Sequence, residues 1–241
     1  MAQIHRLYIP RDLQTHTHVA LDPQDRRMLS TVLRQKKGDP IELLNGQGQV
    51  AQGILSDFDS QQTVYVEQVH AVKPLLPHIR LVVGLLKGEK MSWLVQKATE
   101  LGVNAIDMVQ TKASVVKYKK AHVEKSQKTA IEALRQSGNP YLPTIRGFAS
   151  LQQWHAHTPP AQTQIFFHEK ENTQWLGAKV DFELNTSMDL LIGPEGGFLA
   201  EEADWLCDQA VHPMRLHPYV LRAETAALMG LSFFRAIRGQ K

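Results

Sequence analysis

Between Arg6 and Val72 apolar and polar residues alternate in short runs, Leu7-Tyr8-Ile9, Pro40 to Leu44, Gln49 to Leu55 and Thr63 to Val69. Period-two alternation bounded by Gly38-Asp39, Asn45-Gly46-Gln47-Gly48 and Ser56-Asp57 predicts strands joined by tight turns. Asn45-Gly46 between two apolar runs is a hairpin signal. One helical pattern interrupts them, roughly Pro23 to Leu33, with Met28, Leu29, Val32 and Leu33 as its inner stripe. Several short strands with a single helix predict a small β-barrel.

Lys73-Pro74-Leu75-Leu76-Pro77 resists both helix and sheet and marks a domain boundary. Beyond it strands alternate with helices. Ile79 to Leu85, Ala105 to Val109, Gln164 to Glu169, Met188 to Ile192 and Met214 to Leu216 read as strands. Glu89 to Leu101, His122 to Ser137, a stretch from Glu201 and a last one from Ala223 to about Arg238 read as helices. Such alternation gives an α/β domain with a largely parallel sheet covered on both faces. Neither an internal repeat nor a low-complexity tract is present.

Composition narrows the class. The 241 residues are 43% hydrophobic and 21% charged, as in a soluble globular protein. No apolar run is long enough to span a bilayer, and the N-terminal residues lack a signal peptide's apolar core, so a cytoplasmic location is expected. Cys207 is the single cysteine, which excludes an internal disulfide and a cysteine-based zinc cluster. It falls in an apolar helical pattern and reads as a small buried hydrophobe. His155 and His157, beside Pro159-Pro160, read as a turn; no metal site is expected. The net charge is +3, and the excess is N-terminal: residues 1–120 hold 16 Lys/Arg against 11 Asp/Glu. That distribution suits a surface meeting phosphates, although charge alone does not decide it.

Two stretches carry candidate chemistry. In Leu190-Leu191-Ile192-Gly193-Pro194-Glu195-Gly196-Gly197-Phe198 a strand hands over to a helix through a glycine loop. Loops at the carboxyl ends of strands are where open α/β sheets bind small molecules, and glycine lets a ligand approach the main chain. Met214 to Leu228 repeats the pattern with a proline turn and places Arg222 and Glu224 at a helix entrance. No Gly-Lys-Ser/Thr ending follows Gly196-Gly197 and no dinucleotide fingerprint is present, which argues against a nucleotide hydrolase and a Rossmann-type site.

With Gly84-Leu85-Leu86-Lys87-Gly88-Glu89-Lys90-Met91 and Lys97 to Val103 upstream, these two stretches resemble the RsmE family of SPOUT methyltransferases over nearly the whole chain. Members use S-adenosyl-L-methionine to methylate N3 of a uridine in small-subunit ribosomal RNA. The resemblance implies residues 1–72 as a PUA-like β-barrel that binds RNA, and residues 73–241 as a SPOUT domain whose last segment forms a trefoil knot. It implies a cofactor site of Phe167, His168, Glu169, Ile192, Gly193, Pro194, Glu195, Gly196, Gly197, Leu216, His217, Val220 and Leu221. RNA contacts are expected from Arg6, Arg34, Lys87 and Lys90. A homodimer through the C-terminal domain and a substrate in the assembled subunit are also expected.

Uridine N3 is protonated in the neutral base, so methyl transfer needs a base or a cation that stabilises the uridine anion. Arg222 is the candidate for the anion and Glu224 for the proton or for orienting Arg222; a carboxylate capping the helix dipole is the alternative for Glu224. The chain departs from the family pattern at His217, usually glycine, at Tyr219, usually arginine, at Leu199, usually serine, and at Arg135 and Asn139 around Gln136-Ser137. A non-catalytic RNA-binding or ribosome-assembly factor on the same fold is the competing reading.

Overall fold

The computed structural model describes residues 4–58, 61–169, 175–176 and 187–236. The chain falls into two compact units, one of residues 1–74 with 134–142, the other of residues 75–133 with 143–241.

In the first unit β1 (His5–Tyr8), β2 (His18–Ala20), β3 (Pro40–Leu44), β4 (Gln49–Phe58) and β5 (Gln61–Ala71) form one sheet in the order β1-β3-β4-β5-β2. The β1–β3 pair is parallel and the others antiparallel, with a register shift at Gln52/Gly53 in the long β4–β5 hairpin. Alternate residues of these strands, Leu7, Ile41, Leu43, Leu55, Val64 and Val66, close on Leu29 in one apolar core. A second cluster joins Leu44 and Val50 to Leu134, with Tyr8 and Leu142 packed against it. Burial pushes the Tyr8 phenol above its ordinary pKa.

The predicted 23–33 helix differs from expectation. It is α-helical only over α1 (Pro23–Arg27), where Asp22 caps the Asp25 N–H at 2.7 Å, and it widens into a π-helical turn over Met28–Val32. The Ser30 hydroxyl donates to the Arg26 carbonyl, a local bond that competes with regular helix. Widening rotates Val32 out of the predicted stripe, to 72% exposure.

In the second unit β6 (His78–Gly84), β7 (Ala105–Val109), β8 (Thr144–Phe148), β9 (Thr163–Phe167), β10 (Ser187–Ile192) and β11 (His212–Met214) form a six-stranded, all-parallel sheet in the order β11-β9-β10-β6-β7-β8. Helices α2 (Lys90–Glu100), α3 (Lys120–Ser137), α4 (Leu151–His157), α5 (Ala200–Asp208) and α6 (Ala223–Ala236) complete the elements among the described residues. Strands β6, β7 and β10 are nearly continuous apolar runs, as strands buried on both faces should be. Helix α6 packs on β6, β10 and α2. Arg235 pins it there, donating to the carbonyls of Pro77 at 2.7 Å and Gly102 at 2.6 Å and to Asn104 Oδ1 at 2.8 Å. Burial pulls this guanidinium down to about 10, still far above neutrality, so it donates as a cation.

Two carboxylates interrupt the apolar strands. Asp189 on β10 accepts from Arg80 Nε at 2.6 Å, Gln164 Nε2 at 2.8 Å and the Ala161 N–H at 3.1 Å. Asp107 on β7 accepts both arms of Arg146, at 2.8 and 2.6 Å, and the Trp154 indole N–H at 2.9 Å. The bond to Asp107 raises the Arg146 pKa above its ordinary value.

Two further expectations change. Cys207 is exposed on α5 rather than buried, because it lies one position beyond the buried Leu206 on the solvent side of the helix. His155 and His157 sit in the last turn of α4, not in a turn. Leu199 does stand at an N-cap without a capping side chain, and the Glu202 carboxylate compensates by accepting the Leu199 N–H at 3.0 Å. Ile237 and Arg238, expected in the last helix, lie outside the described residues.

Candidate functional site

Strands β11, β9, β10 and β6 are neighbours running the same way, so their carboxyl ends open on one edge of the sheet. That edge holds a pocket built from the residues after β9, the loop after β10, the segment after β11 and the first turn of α6. It is lined by Phe167, His168, Glu169, Ile192, Gly193, Pro194, Glu195, Gly196, Gly197, Arg215, Leu216, His217, Tyr219, Val220, Leu221, Ala223 and Ala226. The two stretches that carry candidate chemistry in the sequence, distant along the chain, meet here.

The glycines are explained by close approach. A Cβ on Gly193 would lie 2.6 Å from the Gly197 carbonyl carbon and 2.9 Å from the Phe198 nitrogen, so the loop folds back on itself only with hydrogen at that position. Beneath it, a Cβ on Gly84 at the end of β6 would lie 2.5 Å from Pro194 N and Cδ, which lets the loop rest on the strand end. On the far wall a Cβ on Gly230 would meet the Phe167 ring at 2.5 Å. Helix α6 can therefore sit close enough for Ala223 and Ala226 to reach the pocket.

Charge at the rim is organised by Glu195. Its carboxylate accepts the Lys87 N–H and the Lys90 ammonium, both at 3.1 Å, tying the β10 loop to the start of α2. Burial alone would raise this carboxyl, but the bonds from the Lys87 and Glu195 N–H groups and from Lys90 outweigh it and hold the pKa below its ordinary 4.5. A depressed pKa means the contact is fully formed above 4.5 and is lost as pH falls through the lower folded value. The Lys87 amide resonance is expected to titrate with a midpoint below 4.5 by nuclear magnetic resonance, and Glu195→Gln to abolish that titration; a midpoint at or above 4.5 would contradict the geometry.

The segment after β11 is braced from within. Arg215 donates to the carbonyls of His217 at 3.3 Å and Pro218 at 2.9 Å, and its guanidinium lies 4.9 Å from the Trp175 ring centre. The His217 Nδ1 accepts the Tyr219 N–H at 3.2 Å. Among the described residues the non-glycine positions with positive φ are His16, Arg34 and Ala210. His217 thus replaces a usual glycine where glycine's freedom is not required.

All thirteen cofactor residues expected from the sequence line this pocket, and so do Arg215, Tyr219, Ala223 and Ala226, which sequence reasoning missed. Arg215 was hidden inside a presumed strand, Tyr219 counted only as a departure, and the alanines bear no chemistry of their own. Arg222 and Glu224 do not line it. Arg222 lies between the lining residues Leu221 and Ala223, is exposed, and has no side-chain hydrogen bond or ion pair among the described residues. Glu224, in the first turn of α6, is half-buried, and its buried Oε2 has no hydrogen-bond partner among the described residues. Of the four residues expected at RNA, Lys87 and Lys90 stand beside Glu195 at the pocket rim. Arg6 and Arg34 belong to the first unit. There Arg6 is half-buried against Glu42 at 2.6 Å and the Gln136 carbonyl at 3.3 Å, while Arg34 is exposed.

The donor set fits S-adenosyl-L-methionine. Backbone amides and carbonyls of the glycine loop can meet adenine edges and a methionine carboxylate, Ile192, Leu216, Val220 and Leu221 supply apolar walls, and Glu169 and Glu195 are carboxylates that could face a sulfonium. Among the described residues no group of three or more His, Cys, Asp or Glu is placed to hold a metal ion, and no helix is long and apolar enough to cross a membrane.

Residues 73–235 match the family model described as an RNA methyltransferase domain. The chain is 30% identical to the ribosomal RNA small subunit methyltransferase E of Bacillus subtilis, over 83% of each chain, and 26% identical to that of Buchnera aphidicola, over 98% of this chain and 95% of the relative. Among solved structures, a putative methyltransferase of Legionella pneumophila in complex with S-adenosyl-L-methionine superposes with a TM-score of 0.84 at 29% identity, covering 98% of both chains. The small subunit methyltransferase E of Neisseria gonorrhoeae, bound to the same cofactor, reaches 0.87 at 23% identity over 98% of both.

Proposed function

The chain belongs to the RNA methyltransferase domain family, and from that premise we propose that it transfers the methyl group of S-adenosyl-L-methionine to N3 of a uridine in small-subunit ribosomal RNA. The observation that carries this reading is the meeting of the glycine loop and the 215–221 segment in one pocket at the carboxyl edge of the sheet.

When bound, the cofactor supplies an electrophilic methyl group. The task left to the chain is to align the nucleophile with it and to make N3 a nucleophile. In this reading the Arg222 guanidinium, unengaged by other side chains, stabilises the negative charge that develops as N3 loses its proton. The proton goes to Glu224, whose buried Oε2 has no hydrogen-bond partner among the described residues. Glu195 holds Lys87 and Lys90 at the rim, where they face phosphates.

We further infer that the first unit is a PUA-like RNA-binding domain contributing Arg34 and Arg6. We infer that the last segment of the chain threads as a trefoil knot and that two copies associate through the C-terminal domain. The packing of α6 on β6 and β10, with Ala223 and Ala226 reaching the pocket, supports the knot, and the apolar Met229, 38% exposed on this helix, supports the association. The test is incubation of the protein with labelled cofactor and small subunits lacking the modification, followed by nucleoside analysis. Label in 3-methyluridine is expected; label in another nucleoside, or RNA binding with no label, overturns the proposal.

A further inference from the structure

We propose that Tyr219 is a platform on which an unpaired base of the RNA stacks at the mouth of the cofactor pocket, making it a specificity-determining residue. This deepens the reading of the chain as an RNA methyltransferase and rests on it.

Tyr219 lines the pocket and yet is 76% exposed, as is Val220 beside it. Exposed aromatic residues are ordinary when they stand alone. The Tyr219 main chain is held in place. Its N–H is bonded to His217 Nδ1, the two carbonyls before it are bonded to Arg215, and Pro218 fixes the backbone φ immediately before it. Little ordering of the main chain remains to be done on binding, which suits a recognition surface.

The ring is also unstacked. Its one aromatic neighbour among the described residues is His217, at 5.3 Å between centres and tilted by 50°. A tilted neighbour leaves a π-face open. Within its own segment the charge is of one sign: residues 209–223 contain Arg215 and Arg222 and no Asp or Glu, the carboxylates Glu169 and Glu195 of the pocket coming from other segments. An aromatic ring beside cationic side chains, with no carboxylate in the same segment, is chemistry that receives a nucleobase and its phosphate.

The reaction itself requires such a surface. A uridine N3 engaged in base pairing cannot be reached, so the target must be unpaired or extruded, losing its stacking neighbours. A pre-positioned ring at the pocket mouth replaces one of them, for the target or for the base next to it. Stacking needs the ring but not the hydroxyl.

The test compares the full-length wild type with Tyr219→Ala and Tyr219→Phe, using small subunits that lack the modification. Tyr219→Ala is expected to lower kcat/KM for the subunits by about 5- to 150-fold, mainly through KM, and to weaken cosedimentation with them by a similar factor. Tyr219→Phe should retain both, and the cofactor Kd from calorimetry should move by less than about threefold in either variant if only stacking is lost. Wild-type kcat/KM and cosedimentation in Tyr219→Ala would overturn the inference. So would a parallel loss of cofactor affinity, which would make the ring a cover for the cofactor, or a change of mass by light scattering, which would make it a contact between protein chains. Cosedimentation is read without turnover. An inactive wild type therefore defeats the methyltransferase reading separately from the role of the ring.

Discussion

Arg222→Ala is expected to lower kcat for methyl transfer by roughly 10²–10³-fold, the usual consequence of removing a group aimed at developing negative charge. Cofactor affinity should hardly change, because Arg222 is exposed and does not line the pocket although residues on both sides of it do. Its guanidinium has no side-chain partner among the described residues, so the substitution strands no buried group and should leave stability intact. If the role is to stabilise the uridine anion, the variant should recover activity as pH rises and N3 ionises without help. Single-turnover kinetics against pH, with calorimetric titration of the cofactor, separates the possibilities: a matching loss of cofactor affinity, or a deficit independent of pH, would refute the assignment.

The second large effect concerns stability. Asp107→Ala removes a carboxylate with no exposed surface and leaves the Arg146 guanidinium and the Trp154 indole N–H without their acceptor. Arg80, whose Nε lies 4.0 Å from Asp107 and 2.6 Å from Asp189, would keep only one of its two carboxylates. Truncating one partner of a fully buried pair costs about 3–5 kcal/mol, but the Arg146 side chain is 36% exposed and keeps Thr158 Oγ1, so a loss of about 1–3 kcal/mol is expected, chiefly from the buried Trp154 N–H. Against a whole-domain stability of roughly 5–15 kcal/mol, that is a measurable share of the total. Urea denaturation followed by circular dichroism reads it directly, and a loss below about 1 kcal/mol would show that water replaces the carboxylate. Asp107→Asn should fall between, since its amide oxygen can still accept from one of the two donors.

The pocket was legible because its parts are local signals. A glycine pair between an apolar run and a helix, and a proline turn before Arg222, can be read from a few neighbouring residues, and parallel order brings the strand ends together. Strand β8 was not legible, since Arg146 and Gly147 break the apolar run, and both are explained only by tertiary partners: Arg146 by Asp107, and Gly147 by the Tyr118 ring that a Cβ would meet at 2.2 Å. Helix α4 was lost for a similar reason, its seven residues offering only Leu151 and Trp154 to the core. Val32 and Cys207 were misplaced because a helical stripe read from spacing assumes 3.6 residues per turn and a known facing direction. The π-helical turn changes the first, and the second is set by what α5 packs against. Arg222 and Glu224 were picked for their chemistry, and the structure puts them next to the pocket wall rather than in it.

Residues 134–142 belong with a sheet whose other members end some sixty positions earlier, and Leu134 closes on Leu44 and Val50. A gene fragment stopping at Pro74 would therefore be translated without part of its own interior, exposing those two side chains to water. The same holds for any exchange of modules between relatives: a crossover at the proline-rich junction alone separates a sheet from the distant stretch that seals it, so recombination must inherit both pieces or neither.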